Sequence, residues 1–256
     1  MSEDILTLPP PPADVRLAYG SDSNQFGELR LPKAKATNLF PVVMNIHGGY
    51  WRAKYDLAHN GHLCAALTAK GIATWNVEYR RVGDAGGGWP GTFEDIASAY
   101  RFLPQIANRF RLDPAKILIM GHSAGGQLAL CLAAHEPLVT RAISLAGVLD
   151  MQRAYDLHLS HDAVKEFLGG RPDEVPDHYR EADPMRLPIQ ATQIVLLGEA
   201  DGDVPPDLSH RYFEAKKKIH EDVTLVEVAK ADHFDLIDPR SAAWPKVEAA
   251  VLCLLG

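Results

Sequence analysis

Short apolar runs alternate with amphipathic segments of helix length from Pro41 to the C-terminus. Such alternation is typical of crossover units, in which two parallel strands are joined by a helix that packs on the sheet. The pattern therefore predicts an α/β fold with a mostly parallel central sheet flanked by helices. The predicted strands span residues 42–46, 72–77, 117–120, 142–145, 193–197 and 223–228. The predicted helices span residues 57–69, 92–110, 124–135, 206–219 and 241–255.

Two parts of the chain depart from this alternation. Residues 149–188 contain helical fragments but no convincing strand. We interpret them as a short cap-like insertion over the carboxyl ends of the strands, where open α/β sheets bind ligands. Before residue 41, segments 14–19 and 27–31 predict two short antiparallel edge strands. The prolines at positions 9–12 predict an extended, exposed leader.

Length and charge limit the classes of protein that this chain can form. The chain has 256 residues, of which 46% are hydrophobic, and α/β folds of this size commonly form one domain, here residues 1–256. The formal net charge of -7 argues against nucleic acid or an anionic membrane as partner. The basic run at 216–218 is interpreted as the solvated end of a helix.

The cysteines and the N-terminus predict a cellular location. Cys64, Cys131 and Cys253 are odd in number and lie far apart in apolar surroundings, so we expect them to be reduced core residues. The N-terminus has neither a basic start nor an apolar stretch of secretory length, and no run approaches membrane-spanning length. These features predict a cytoplasmic protein without a membrane partner, and they leave a homodimer open.

The pentapeptide Gly121-His122-Ser123-Ala124-Gly125 stands directly between a predicted strand and a predicted helix. In this G-x-S-x-G context the serine lies on a sharp turn that lifts its hydroxyl clear of the backbone, and the glycines relieve the crowding. A serine between glycines is most often only a turn, but the flanking strand and helix favour a nucleophile. Ser123 is therefore the predicted nucleophile.

A serine nucleophile requires a base and a group that orients the base. His233 follows the last predicted strand in a loop, whereas His210 and His220 fall in a helix-like segment and are interpreted as solvated. Asp201 and Asp203 both follow the strand at 193–197, where a carboxylate can accept the imidazole N–H. We choose Asp201 and keep Asp203 as the alternative.

Two further acidic residues, Asp232 and Asp235, are close to His233 in sequence. They are interpreted as solvated loop charges.

A glycine pair follows the first parallel strand, in His47-Gly48-Gly49-Tyr50-Trp51. Acyl transfer passes through a tetrahedral intermediate with a negative oxygen, and glycines let backbone N–H groups approach that oxygen closely. We therefore predict an oxyanion hole formed by Gly48 or Gly49 together with Ala124.

Taken in order, the motifs H-G-G-Y-W, G-H-S-A-G-G, G-x-x-D-x-x-V-P and D-H-F resemble those of α/β-hydrolase esterases. The resemblance is to the hormone-sensitive-lipase-like group and, within it, to kynurenine-formamidase-like hydrolases, and it runs from about Val42 to the C-terminus. It implies an α/β-hydrolase fold in which Ser123 is the nucleophile, Asp201 the acid and His233 the base. Tyr50 departs from the H-G-G-G form, which argues against a bulky lipid site.

We expect a serine hydrolase that cleaves small, short-acyl carboxylic esters through an acyl-enzyme and needs no cofactor. Tyr50, Trp51 and Trp89 are the predicted walls of the substrate pocket. The same motifs leave an arylformamidase that opens N-formylkynurenine as the first alternative, and a non-catalytic ligand-binding protein on the same scaffold as the second. The insertion's histidines lack zinc-ligand spacing, so no metal is predicted. These histidines are His158, His161 and His178.

Overall fold

A single sheet of eight strands forms the centre of the computed structural model, which describes residues 2–33 and 38–256. The strand order is β1-β2-β4-β3-β5-β6-β7-β8. Strands β1 and β2 pair antiparallel at one edge, β2 also runs antiparallel to β4, and the remaining pairs are parallel. The strands are β1 (Val15–Ala18), β2 (Phe26–Arg30), β3 (Phe40–Ile46), β4 (Ala73–Val77), β5 (Leu112–His122), β6 (Arg141–Leu145), β7 (Thr192–Gly198) and β8 (Val223–Val228).

Helices cover both faces of this sheet. They are α1 (Gly61–Ala69), α2 (Gly91–Phe110), α3 (Ala124–His135), α4 (Met151–Asp156), α5 (Ala163–Leu168), α6 (Pro176–Ala182), α7 (Pro206–Lys218) and α8 (Trp244–Leu255). Short 3-10 helices span Ser2–Leu6 and Leu57–Asn60. None of the helices in the described ranges combines the length and the apolar character needed to cross a bilayer.

Alternate residues of the central strands enter two separate hydrophobic cores. On β3, Val42 and Met44 pack into the core beneath α2, α3 and α7, whereas Val43 packs into the core beneath α1 and α8. Because both faces are buried, the strands read as nearly continuous apolar runs rather than as an alternation. The predicted α/β-hydrolase fold, with its mostly parallel sheet and flanking helices, is confirmed.

Most predicted boundaries are within about two residues of those observed, and three differences are larger or have a clear local cause. The predicted helix at 57–69 is a 3-10 turn followed by α1, since the Asp56 side chain accepts the N–H of Ala58 and begins a separate turn. Strand β5 begins at Leu112 rather than at residue 117. Helix α8 begins at Trp244 because Ser241 forms a turn, in which its hydroxyl donates to Asp235 O at 2.6 Å.

The two exceptional segments take different places. Helices α4, α5 and α6 form the insertion, between β6 and β7. The N-terminal segment is less exposed than predicted, because Ile5 is buried in the core beneath α1 and α8. Among the prolines, Pro11 is exposed, but its carbonyl accepts a hydrogen bond from Arg30 Nη2 at 2.9 Å.

Candidate active site

Ser123 stands on a strained turn between β5 and α3. Its backbone angles are φ 57° and ψ −121°, a left-handed conformation that costs a non-glycine residue free energy. A Cβ at Gly121 would lie 2.0 Å from the carbonyl oxygen of Gly125, and a Cβ at Gly125 would lie 2.2 Å from that of Ile46. Both glycines are therefore required for the tight turn that projects the serine side chain.

Asp201 and His233 form a buried pair at the ends of β7 and β8. His233 Nδ1 lies 2.7 Å from Asp201 Oδ2. The other carboxylate oxygen of Asp201 accepts the N–H of Asp203 at 2.9 Å and that of Val204 at 2.8 Å. Asp203 itself is exposed and contacts Asp201 through its backbone. Of the two carboxylates left open by the sequence, Asp201 is the one that contacts the imidazole.

The other candidate acids and bases lie apart from the His233–Asp201 contact. The Asp232 carboxylate accepts the N–H groups of Phe234 and Asp235, at 3.0 and 3.1 Å, within their own loop. His210 is paired with Glu227 at 3.2 Å on the surface, and His220 is exposed. These residues do not reach His233.

His122, which directly precedes Ser123, links the serine turn to the His233 loop. Its Nε2 donates to the carbonyl oxygen of His233 at 3.0 Å, and the two ring centroids are 4.5 Å apart. The described geometry contains no hydrogen bond between the Ser123 hydroxyl and the His233 ring. In serine hydrolases this contact commonly tightens only when substrate enters.

The predicted oxyanion loop lies against the serine turn. A Cβ at Gly48 would lie 2.9 Å from Ser123 Cβ and 2.9 Å from the His122 carbonyl oxygen, so a larger residue would collide with the turn. Gly49 has φ 106°, which side chains rarely adopt. Ala124 is the first residue of α3, where a backbone N–H has no acceptor within the helix. These predicted donors surround Ser123.

A cavity of about 50 Å³ lies beside Ser123. Residues that were predicted from the sequence supply part of its wall, namely Gly49, Tyr50, Ser123, Asp203 and His233. The others were not predicted: Leu6, Tyr55, His59, His122 and Phe234. Phe234 and His122 are themselves residues of the D-H-F and G-H-S-A-G-G motifs. Leu6, Tyr55 and His59 carry no sequence signal, because distant parts of the chain bring them here.

Of the three predicted pocket residues, only Tyr50 lines this cavity. Its hydroxyl donates to the Asp203 carbonyl at 2.6 Å, and burial, with the nearby carboxylates, raises the pKa of the phenol. Trp51 is fully buried, stacks on Phe167 of α5 at 4.5 Å, and donates through Nε1 to a glutamine of α3. Trp89 packs against Phe93 and the same Phe167. The prediction that both tryptophans wall the pocket was wrong.

Two histidines near Ser123 are held neutral. Burial, together with the neighbouring His47, lowers the pKa of His59 to about 3. Burial likewise sets the pKa of His122 well below its ordinary value, with His233 contributing. Neither ring therefore carries a positive charge near neutral pH. Among the histidines of the cavity wall, only His233 has a carboxylate partner at its ring.

The remaining predicted histidines lie on the insertion. His158 contacts Asp162 at 2.5 Å, and His178 donates through Nδ1 to the Leu168 carbonyl at 2.7 Å. His161 lines a separate surface depression beside α5. They do not come together with the residues around Ser123.

Fold and site together define a member of the α/β-hydrolase class, with a serine turn after β5 and a carboxylate–histidine pair after β7 and β8. The BD-FAE family matches residues 28–215. The chain therefore belongs to the BD-FAE family, and the predicted resemblance to α/β-hydrolase esterases is confirmed.

Three curated relatives match this chain over part of their own length, and two of them are named esterases. Versiconal hemiacetal acetate esterase of Dothistroma septosporum is 36% identical over 95 residues, which cover 36% of this chain and 28% of that protein. Esterase LipC of Mycobacterium tuberculosis is 23% identical over 244 residues, covering 87% of this chain and 60% of that protein. An uncharacterised peptidase of Bacillus subtilis, YtmA, is 31% identical over 55% of each chain. The chain thus spans less than two thirds of each of these relatives.

Solved structures share the fold over nearly the whole chain. A truncated carbohydrate esterase from gut microbiota superposes with a TM-score of 0.82 at 20% identity, covering 97% of this chain and 99% of that one. A thermophilic esterase of Thermogutta terrifontis, Est2 with propionate bound, superposes with a TM-score of 0.76 at 23% identity, covering 95% and 94%. At these identities the likeness establishes the fold alone.

Proposed function

We propose that the chain is a carboxylic ester hydrolase that uses Ser123, His233 and Asp201. The observation that carries this proposal is the contact of His233 Nδ1 with Asp201 Oδ2 at 2.7 Å, on a ring that shares a cavity with Ser123. The esterase names of the relatives support the same reaction class. A strained serine turn beside a glycine loop supports acyl transfer rather than ligand binding alone.

The reaction follows from the orientation of His233. Asp201 accepts a hydrogen bond from the Nδ1–H of His233, so the other ring nitrogen carries no proton and can act as the base. That nitrogen takes the proton of the Ser123 hydroxyl as the oxygen attacks the ester carbonyl, and the Gly48–Gly49 loop and Ala124 bind the resulting oxyanion. His233 then protonates the leaving alcohol, and water releases the acyl group by the same steps in reverse order.

The size of the cavity supports a short acyl chain. At about 50 Å³, the cavity is small beside the roughly 300–1,000 Å³ of pockets that hold drug-sized ligands. Leu6 and Phe234 contribute apolar walls, and Tyr50 is fixed by its bond to the Asp203 backbone. The related Est2 structure holds propionate, a three-carbon acid. We infer that acetyl and propionyl esters are the preferred substrates.

The test compares kcat/KM for p-nitrophenyl acetate, p-nitrophenyl octanoate and N-formylkynurenine on one preparation, with Ser123→Ala as control. A strong preference for acetate, and an inactive Ser123→Ala, would support the proposal. Preference for octanoate would remove the short-acyl inference. Preference for N-formylkynurenine would establish an arylformamidase with the same residues, and activity in Ser123→Ala would overturn the assignment of the site.

The cysteines support a cytoplasmic location for this hydrolase. Cys64, Cys131 and Cys253 are all free, and the first two are fully buried. Cys253 is exposed, so the prediction that it is a core residue was wrong. Burial raises the pKa of the Cys64 thiol to about 12, which keeps it protonated and unreactive. Cell fractionation with an antibody to the native protein would test this location, and recovery outside the cytoplasm would refute it.

A further inference from the structure

A buried carboxylate–histidine pair lies directly behind the glycine loop. His47 follows β3 and Glu78 follows β4, and the two strands pair in parallel with Ile46 opposite Val77. His47 Nε2 lies 3.0 Å from Glu78 Oε1, and both residues are buried. The register of the two strands therefore places these side chains together one residue beyond the sheet.

Glu78 is bound as a carboxylate. Its Oε1 also accepts the N–H of Tyr79 at 3.1 Å and lies 2.9 Å from Arg81 Nη1, while Oε2 accepts the N–H of Leu57 at 3.0 Å. Burial alone would raise the pKa of the Glu78 carboxyl, but His47, Arg81 and the Tyr79 N–H outweigh it and lower the pKa. An ionised carboxylate only accepts hydrogen bonds, so Nε2 of His47 must carry a proton.

The second ring nitrogen of His47 also faces an acceptor. Its Nδ1 lies 2.8 Å from the carbonyl oxygen of Gly48, and a carbonyl cannot donate. Both contacts are hydrogen bonds only if both ring nitrogens are protonated. Tyr79 also contacts His47. Its ring stacks on the imidazole with the centroids 4.3 Å apart, and its hydroxyl donates a hydrogen bond to the His47 carbonyl oxygen at 2.8 Å. The neutral His59 lies edge-on at 5.8 Å.

The Nδ1 contact fixes the direction of one peptide group. In a planar trans peptide, the N–H of Gly49 points opposite to the carbonyl of Gly48. Because that carbonyl points toward His47, the Gly49 N–H points away from it, and Gly49 lines the cavity whereas His47 does not. A donor bound to the carbonyl also polarises the N–H of the same peptide group.

We propose that Glu78 holds His47 as an imidazolium, and that this buried ion pair orients and polarises the Gly48–Gly49 peptide so that Gly49 N–H is the loop's oxyanion donor. The inference rests on the proposed function and deepens it. His47 and Glu78 are positioning residues, because they act through the peptide and do not touch the substrate. The pair also decides between Gly48 and Gly49, which the sequence left open.

Glu78→Gln is the variant that tests the role of the pair. The amide keeps the size of the side chain but removes the counter-ion, so His47 becomes neutral and keeps one of its two ring N–H bonds. Complete loss of an oxyanion donor costs about 10²- to 10³-fold in turnover, so a misoriented donor is expected to lower kcat by roughly 10- to 100-fold. KM for p-nitrophenyl acetate should change little.

The transition-state readout separates this role from general damage. A trifluoromethyl ketone adds to Ser123 and places an oxyanion in the hole, so its affinity should fall by the same factor as kcat/KM. Binding of the matching methyl ketone should not change. Asp84→Asn is the matched control, since it removes one negative charge from Arg81 without touching His47. Equal kcat and equal inhibitor affinity in Glu78→Gln would overturn the proposal.

A measurement on the unaltered protein covers the case in which Glu78→Gln does not fold. ¹⁵N-correlated NMR at about pH 8, where an ordinary histidine is neutral, should show protons on both ring nitrogens of His47. A singly protonated ring would refute the ion pair. If the wild type hydrolyses no ester, the proposed function fails, but the NMR result still shows whether His47 and Glu78 form an ion pair. If the wild type is active and Glu78→Gln is equally active, only the inference about this pair is refuted.

Discussion

Replacing Asp201 with asparagine should disable His233 without removing a side chain. Asp201 uses one oxygen for His233 and the other for the N–H groups of Asp203 and Val204. Asparagine has only one acceptor oxygen, which we expect to remain on the two backbone donors. Its NH₂ group then faces His233 Nδ1 and favours the tautomer with the proton on Nε2. In that tautomer the ring cannot accept the proton of Ser123.

The magnitude follows from this tautomer exchange. An aspartate-to-asparagine change at the equivalent position of a Ser-His-Asp site costs about 10⁴-fold in turnover, so Asp201→Asn should lose roughly 10³- to 10⁴-fold in kcat. Asp203→Asn removes the same charge two residues away, but the Asp203 carboxylate is exposed and its bonds in the site are made by its backbone. It should lose no more than about threefold, consistent with an exposed group.

The assay is kcat/KM for p-nitrophenyl acetate across a pH series, with thermal unfolding to confirm that both variants fold. The result that would refute the reasoning is a greater loss in Asp203→Asn than in Asp201→Asn. Equal, small losses in both would show that His233 needs no carboxylate partner for turnover.

Three further outcomes are expected. Ser123→Gly and Ser123→Ala should both be inactive. Urea unfolding should show that the glycine variant is more stable than the alanine variant by about 1 kcal/mol, because glycine tolerates φ 57°. Equal stabilities would show that the backbone at residue 123 is not strained. Leu6→Ala should raise kcat/KM for p-nitrophenyl butyrate relative to acetate by roughly tenfold, and an unchanged ratio would exclude Leu6 from acyl selection. Burial raises the pKa of Asp183 to about 7. The native state therefore holds a proton between about pH 4 and pH 7 that the unfolded chain has released, so unfolding free energy should fall as pH rises through that window. Asp183→Asn should flatten this slope, and an unaltered slope would contradict the assignment.

The residues of the candidate site could be predicted from the sequence because most of them directly follow a strand. Parallel strands end at one edge of the sheet, so loops after β3, β5, β7 and β8 must meet there, whatever their separation in sequence. Ser123, Asp201 and His233 lie in three of these loops. The choice between Asp201 and Asp203 needed the structure, since both follow β7 and only side-chain direction separates them.

The walls of the cavity were less predictable, for two physical reasons. Tyr50 and Trp51 have φ 50° and 58°, and these left-handed turns send neighbouring side chains to the cavity and to the core respectively. No local pattern in the sequence encodes that reversal. Leu6 reaches the cavity because the neighbouring Ile5 is buried beneath the sheet. The sequence did not predict this contact between distant segments, since the prolines that follow indicated an exposed leader.

Two carboxylate–histidine pairs, Asp201–His233 and Glu78–His47, lie near Ser123 and differ in what their second ring nitrogen meets. In both pairs a buried carboxylate accepts backbone N–H groups and one imidazole nitrogen. His233 lies on the cavity wall with Ser123, and we propose that its second nitrogen exchanges a proton with the serine hydroxyl. His47 has its second nitrogen on the Gly48 carbonyl, so it has no nitrogen left for proton transfer. Pairing with a carboxylate therefore does not by itself identify the catalytic base. The group that contacts the second ring nitrogen distinguishes the proposed base, His233, from the positioning residue, His47.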